Sequence, residues 1–268
     1  MVMSEGEQPD ADLIAAVHDA TAEAYRATVL RSGGHEVDIA GLSCFVGTTP
    51  SPFIVNTAVR SGRVASAEEA LRAAWATYAS VGHAFLLMAS DGSDRDLEAA
   101  AEETGWRMVL EMPVMVSRGA LPDAPPAPGV VLRRADPLAD LEAFRDVAVA
   151  GFATDADEVA AVQSVFSRPA SLEPADTAAF VASVDGVDAA AALVFVTQGI
   201  GIVEWVATAA AFRRRGLGAA VTRAATNAGF ERGAAIVALQ ASPMGKSVYA
   251  DLGFEVISSD RLWFPPAA

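Results

Sequence analysis

The spacing of apolar residues changes several times along the chain, and each change marks an element. In residues 214–230, Leu217, Val221, Ala224, Ala225 and Ala228 recur at helical spacing and predict an amphipathic helix. The mainly apolar run 201–206 upstream predicts a strand, and residues 236–241 downstream predict a short buried one. Residues 178–184 and 189–196 predict a hairpin turning at Asp185-Gly186, because these residue types accept the positive φ of tight turns. Residues 130–134 predict a strand, and 138–151 and 157–166 predict helices. Near the end, Pro243 suits the first turn of a helix and Gly253 its C-cap, before a strand and a hairpin-like ending.

The first half reads as a weaker copy of this order. Helices are expected at 12–31, 67–81 and 94–104, with strands at 36–39, 42–46, 53–58 and 84–89. Gly105-Trp106 stands where the second half has Gly253-Phe254, an offset of 148 residues. Residues 119–129 hold four prolines in eleven positions and cannot sustain a helix or a strand ladder, so they read as a linker. The expected organisation is therefore a first unit at 1–118, a linker at 119–129 and a second unit at 130–268.

Composition narrows the class. A chain of 268 residues with 52% hydrophobic content is long and apolar enough for one large core or two ordinary ones. No apolar run reaches the roughly 18 residues of a membrane helix, and residues 1–10 are acidic and polar, unlike a signal peptide. The expectation is a soluble cytoplasmic protein without a membrane partner. The single Cys44 rules out an intrachain disulfide, and His18, His35 and His83 all lie away from the motifs below, so no metal site is expected. A net charge of −15 works against nucleic-acid binding and favours cationic partners.

Against that acidic background Arg213-Arg214-Arg215-Gly216-Leu217-Gly218 is a local positive island, placed between the predicted strand and the start of the predicted helix. A strand turning into a helix leaves the first amides unpaired at the positive end of the helix dipole, and glycine lets that backbone touch an anion. A pyrophosphate fits such a place. Two familiar phosphate motifs do not apply. A dinucleotide fingerprint beginning at Gly216 would need glycine or alanine where Val221 stands, and a P-loop ending at Gly245-Lys246-Ser247 would need glycine where Gln240 stands.

The pattern that remains, [Q/R]-x-x-G-x-[G/A], resembles the coenzyme-binding motif of the GNAT superfamily of acetyl-CoA-dependent N-acetyltransferases. A second stretch at the right distance downstream, Leu239-Gln240-Ala241-Ser242-Pro243 through Tyr249-Ala250-Asp251-Leu252-Gly253-Phe254, resembles the family's strand, helix and Y-x-x-L-G-F ending. The resemblance spans residues 181–264 or thereabouts. It implies an α/β (α+β) fold whose mixed, largely antiparallel central sheet is flanked by helices, here as two similar units of which only the second binds acetyl-CoA. The residues 208–212 ahead of the arginines depart from the aliphatic-proline sequence usual in the family.

The resemblance also assigns roles. Arg213, Arg214, Arg215, Gly216, Leu217, Gly218 and Ala219 would hold the pyrophosphate, and the amide of Val206 or Ala207 would bind the thioester oxygen. Thr208 and its neighbours would pair with the pantetheine arm. Tyr249 has the place of the family's catalytic tyrosine, with half-buried packing as its alternative. Glu204 would be the general base, with an exposed strand position as its alternative. Ser242 contacts pantetheine or caps the following helix. Lys246 reads as a solvated helix residue, or as one reaching a coenzyme phosphate. The implied partners are acetyl-CoA and an amine-bearing small molecule or peptide, with monomer and homodimer both open. The competing readings are a non-catalytic acyl-CoA-binding sensor or scaffold, and an interaction module that binds no coenzyme.

Overall fold

Helix ends and turns follow the local chemistry of the sequence, and strand order follows from two βαβ crossovers. The computed structural model describes residues 11–52, 55–173 and 175–266. In chain order the first half contains α1 (Ala11–Ser32), β1 (His35–Ile39), β2 (Leu42–Val46), β3 (Thr57–Arg60), α2 (Ala67–Ser80), β4 (Leu86–Ser90), α3 (Arg95–Glu103) and β5 (Arg107–Ser117). The second contains β6 (Val130–Arg134), α4 (Leu141–Phe152), α5 (Ala156–Val165), β7 (Thr177–Val184), β8 (Val187–Thr197), β9 (Ile200–Thr208), α6 (Leu217–Glu231), β10 (Ile236–Gln240), α7 (Lys246–Asp251) and β11 (Glu255–Phe264).

The strands form one sheet in the order β1-β2-β3-β4-β11-β5-β10-β9-β8-β7-β6. The pairs β3/β4 and β9/β10 are parallel, each spanned by a crossover helix, and the other neighbouring pairs are antiparallel. The fold is thus α/β with a mixed, largely antiparallel sheet. The order mirrors itself about the β11/β5 junction, and there the two halves trade their last strands. First-half β5 lies against β10 with Val114 opposite Gln240, while second-half β11 lies against β4 with Asp260 opposite Ser90.

Most elements sit where the hydrophobic period puts them, with four differences, the first being β5, a strand at Arg107–Ser117 that the spacing does not predict. The strand expected at 53–58 is β3, which starts at Thr57; Phe53 and Ile54 lie outside the described residues. No hairpin closes the chain: the ending is the single ten-residue strand β11, which finds partners in β5 and β4 rather than in itself. Helix α7 begins at Lys246, three residues after Pro243. The intervening residues form a turn in which the Gly245 amide donates to the Ser242 carbonyl at 3.0 Å.

Packing joins the halves. The stripe Leu217, Val221, Ala225 and Ala228 of α6 is buried against the second half of the sheet, worth about 1.5–3 kcal/mol for each large side chain. On the opposite face one cluster runs from Val29, Phe45 and Leu86 to Phe144, Val165 and Leu193, so its walls come from both halves. Helix α1 ties them further: Arg31 pairs with Asp176 at 2.5 Å and lies over the Phe195 ring at 5.4 Å.

Candidate active site

The site begins where two parallel strands part. Pairing between β9 and β10 stops at Ile202–Ala238, while β9 continues to Thr208 along β8 alone and β10 continues along β5. Just past the fork β9 takes up an extra residue. Leu193 of β8 faces Glu204 and Ala191 faces Ala207, so Trp205 and Val206 together oppose Ala192. Trp205 adopts φ +55°, uncommon for a non-glycine residue, and its ring is clamped edge-on by Phe166 and Phe152 with centroids 4.9 and 5.5 Å away. The bulge re-aims the strand, and Glu204 and Val206 both line a cavity of about 430 Å³.

Tyr249 and Ser242 line the same cavity, which therefore collects both candidate catalytic residues. Burial pushes the Glu204 carboxyl up to about 8, so it is mostly protonated near neutrality and ionises through mildly alkaline pH. Burial likewise pushes Tyr249 up to about 12. One edge of its ring lies against Gly245, where a Cβ would stand 2.7 Å from Cε2, so a larger residue there would push the ring aside. Ser242 caps the turn before α7, its Oγ accepting from the Gly245 amide at 3.1 Å, while still facing the cavity.

A few residues away the chain enters α6 through a glycine in the left-handed region, Gly216 at φ +76°, preceded by Arg214 at φ +62°. The amides of Arg214, Arg215, Gly216, Leu217, Gly218 and Ala219 have no hydrogen-bond acceptor among the described residues. A Cβ at Gly216 would meet nothing within 4 Å, and one at Gly218 only the Thr208 hydroxyl at 3.5 Å. The space in front of these amides is open. Such an arrangement of free N–H groups at a helix start is built to hold an anion.

The three arginines divide the work. Arg213 is exposed, but its guanidinium is tied to backbone carbonyls. Its Nε donates to the Thr208 carbonyl at 3.1 Å and its Nη2 to the Gly151 carbonyl at 3.3 Å, because those carbonyls at the end of β9 and of α4 otherwise lack partners. It pins the turn, and it takes up the Thr208 carbonyl. Arg215 lies over Phe212 at 5.4 Å and, with Gly216, Ala219 and Arg223, lines a groove of about 590 Å³ whose far wall is the 123–127 segment. That segment is fixed by Leu121, whose backbone exchanges two hydrogen bonds with the Asn227 side chain. Leu217 is buried and offers only its backbone, and Ala207 is closed off by α4. Lys246 is an exposed residue in the first turn of α7.

Further residues shape the site with almost no signal in the sequence. Gly151 lets α4 approach β9, since a Cβ there would lie 2.7 Å from that of Ala207. Arg223 extends the basic edge of the groove, and its buried Nε has no partner among the described residues. Tyr25 of α1 donates to Gln240 Oε1 at 2.6 Å, and Gln240 Nε2 donates to Asp260 Oδ2 at 2.6 Å. Burial raises the Tyr25 pKa, and the nearby Glu204 and Asp260 charges raise it further. Behind Asp260 stands His18, 3.6 Å away, followed by Asp94 at 3.9 Å and Arg60. Burial disfavours the His18 cation, but pairing with Asp260, helped by Asp94 and Asp19, outweighs it and raises the pKa. A polar residue ending the apolar run 236–239 was the one hint, at Gln240.

The overall fold recurs in known proteins. Across 95% of this chain and 96% of its own, a GCN5-related N-acetyltransferase from Kribbella flavida superposes with a TM-score of 0.75 at 24% identity. The fold is that of the GCN5-related N-acetyltransferases. Residues 181–264 in addition match the model of the FR47-like protein family. A GCN5-related N-acetyltransferase from Sphaerobacter thermophilus shares the GNAT fold at 16% identity and a TM-score of 0.59, over 85% of this chain and 78% of its own. A tandem GNAT protein from the clavulanic acid biosynthesis pathway does so at 16% identity and a TM-score of 0.56, over 85% and 79%. No curated protein matches the chain in sequence.

Proposed function

We propose that this protein is an N-acetyltransferase that moves the acetyl group of acetyl-CoA to a primary amine of a small molecule or peptide. The observation that carries the reading is the row of six unpaired amides at residues 214–219, opening beside the cavity that holds Glu204 and Tyr249. In this reading residues 130–268 carry the coenzyme site, residues 1–118 bind no coenzyme and wall the acceptor cleft, and 119–129 links them.

The donor set suits a coenzyme A diphosphate: free amides, Arg214 and Arg215, with Arg223 farther along the groove for the nucleotide end. The pantetheine arm would run through the fork between β9 and β10, past Ser242, to bring the thioester under the bulge. On that side Val203 to Thr208 have no strand partner, so the Val206 amide edge is available for the charge that develops on the thioester oxygen.

An amine near pKa 10.4 arrives protonated and must lose that proton before it can attack. Glu204, near 8, takes it directly or through a water. The freed nitrogen pair then forms the C–N bond as the C–S bond breaks, and the second proton that the acylated nitrogen sheds goes to the departing sulfur, so amide and thiol leave neutral while Glu204 releases the first proton to solvent. Tyr249 at about 12 is a much weaker acid than a thiol near 8.5, so it serves the sulfur as a hydrogen-bond donor rather than as the proton's source. Calorimetry with acetyl-CoA followed by thiol release over a panel of amines tests the reading. Binding with amine-dependent release supports it, binding without release turns the protein into a sensor, and no binding removes the coenzyme site.

A further inference from the structure

We infer that the acceptor is an apolar primary amine without a carboxylate or phosphate, seated in the cleft between the two halves with its nitrogen between Glu204 and Tyr25. The inference rests on the acetyltransferase reading and adds the substrate class.

The walls come first. Val29, Phe45 and Leu86 from the first half face Phe152 from α4, and Met112 and Leu262 from the exchanged strands close the gap. Such a lining offers contact area and few hydrogen-bond partners, which suits an aromatic or aliphatic body and penalises a peptide backbone or a polyol.

The charges come next. The titratable residues lining the cavity are Glu158, Glu204, Tyr25 and Tyr249; no lysine, arginine or histidine is among the lining residues. Glu158 lies on the more exposed side and is held by Thr154, whose amide and hydroxyl each donate to it at 2.7 Å. A carboxylate or phosphate on the acceptor would enter beside two carboxyl groups and find no counter-charge, whereas an ammonium group is attracted.

Hydrogen-bond polarity then places the nitrogen. Asp260 accepts from Gln240 Nε2, which turns Gln240 Oε1 toward Tyr25, and Tyr25 gives its only proton to that oxygen. The Tyr25 oxygen therefore meets the cavity as an acceptor. Once Glu204 has ionised, as it does through about pH 8, its carboxylate and the Tyr25 oxygen present two acceptors and no donor, the complement of an amine's N–H groups.

The test compares phenylethylamine with phenylalanine, which differ by one carboxylate, and with ethanolamine and a short peptide, using the full chain and thiol release, after acetyl-CoA binding has been measured by calorimetry. Phenylethylamine is expected to exceed phenylalanine in kcat/KM by on the order of 100-fold, because a carboxylate left unpaired in an apolar cleft is heavily penalised. Tyr25→Phe is expected to raise the KM for the amine about tenfold with acetyl-CoA affinity unchanged. If acetyl-CoA binds but phenylalanine or the peptide is turned over within tenfold of phenylethylamine, the substrate class is wrong while the acetyltransferase reading survives. An unchanged amine KM in Tyr25→Phe removes the placement of the nitrogen. Absence of acetyl-CoA binding overturns both readings.

Discussion

Helices α2 and α6 occupy the same place in the two parallel crossovers, yet their first turns are opposite in chemistry. At α2, Ser66 caps the helix with its Oγ accepting from the Glu69 amide at 3.3 Å, and Glu68 and Glu69 put negative charge on the dipole's positive end. The preceding loop is closed too, since Ser61 and Gly62 both donate to the Gly41 carbonyl and Arg60 is tied to Asp94 and Asp96. At α6 the cap is a left-handed glycine, the first turn holds no acid, and six amides stay open. The crossover alone supplies a helix dipole. Whether that dipole serves stability or ligand binding depends on a few side chains in the first turn.

The largest test of this contrast is Gly216→Glu, which installs at α6 what α2 already has. It is expected to lower acetyl-CoA affinity by on the order of 100-fold or more, through a side chain in the open space and like-charge repulsion. Gly216→Asn separates this from backbone strain, because asparagine tolerates positive φ; calorimetry and thermal melts on both variants distinguish lost binding from lost folding. Next in size, Tyr249→Phe is expected to reduce kcat by about 10- to 1,000-fold with acetyl-CoA affinity intact, measured by steady-state thiol release.

A third effect is visible in pH. Activity is expected to rise through about pH 8 as Glu204 ionises, and in Glu204→Gln this limb should flatten along with a drop in rate. Stability carries the opposite sign. The folded chain keeps a proton on Glu204 that the unfolded chain has lost above 4.5, so folding stability falls as pH rises through the window from 4.5 to about 8. Glutamine abolishes that fall, and the Tm advantage of Glu204→Gln should be larger at pH 9 than at pH 5. The smallest effect belongs to α2: Ser66→Ala should cost about 1 kcal/mol of stability and leave acetyl-CoA affinity where it was.

Features coded within a few residues were legible in the sequence. The α6 stripe, the Asp185-Gly186 hairpin and the glycine and arginine pattern at 213–218 each depend on local spacing, and the structure places them as that spacing indicates. Strand β5 was not legible. Pro113 falls inside it, and proline argues against a central strand because it cannot donate to a ladder. The fold accommodates it next to a register shift in β11, and the Pro113 carbonyl still accepts from the Ala241 amide at 2.8 Å. The tethering of Arg213 depends on carbonyls at Thr208 and Gly151, and Tyr25 meets Gln240 across 215 residues. Contacts of that range leave no periodic trace, so the Tyr25 side of the cavity became visible only in three dimensions.

The traded strands also set a timetable for synthesis. Ser90 waits for Asp260, 170 residues later, which at translation rates of 5–20 residues per second is roughly 10–30 s. Until β10 and β11 are made, β4 and β5 present bare edges of the kind that recruit stray chains. The pace of the ribosome, more than the chain's own folding speed, thus decides how long the nascent protein must be shielded from its neighbours.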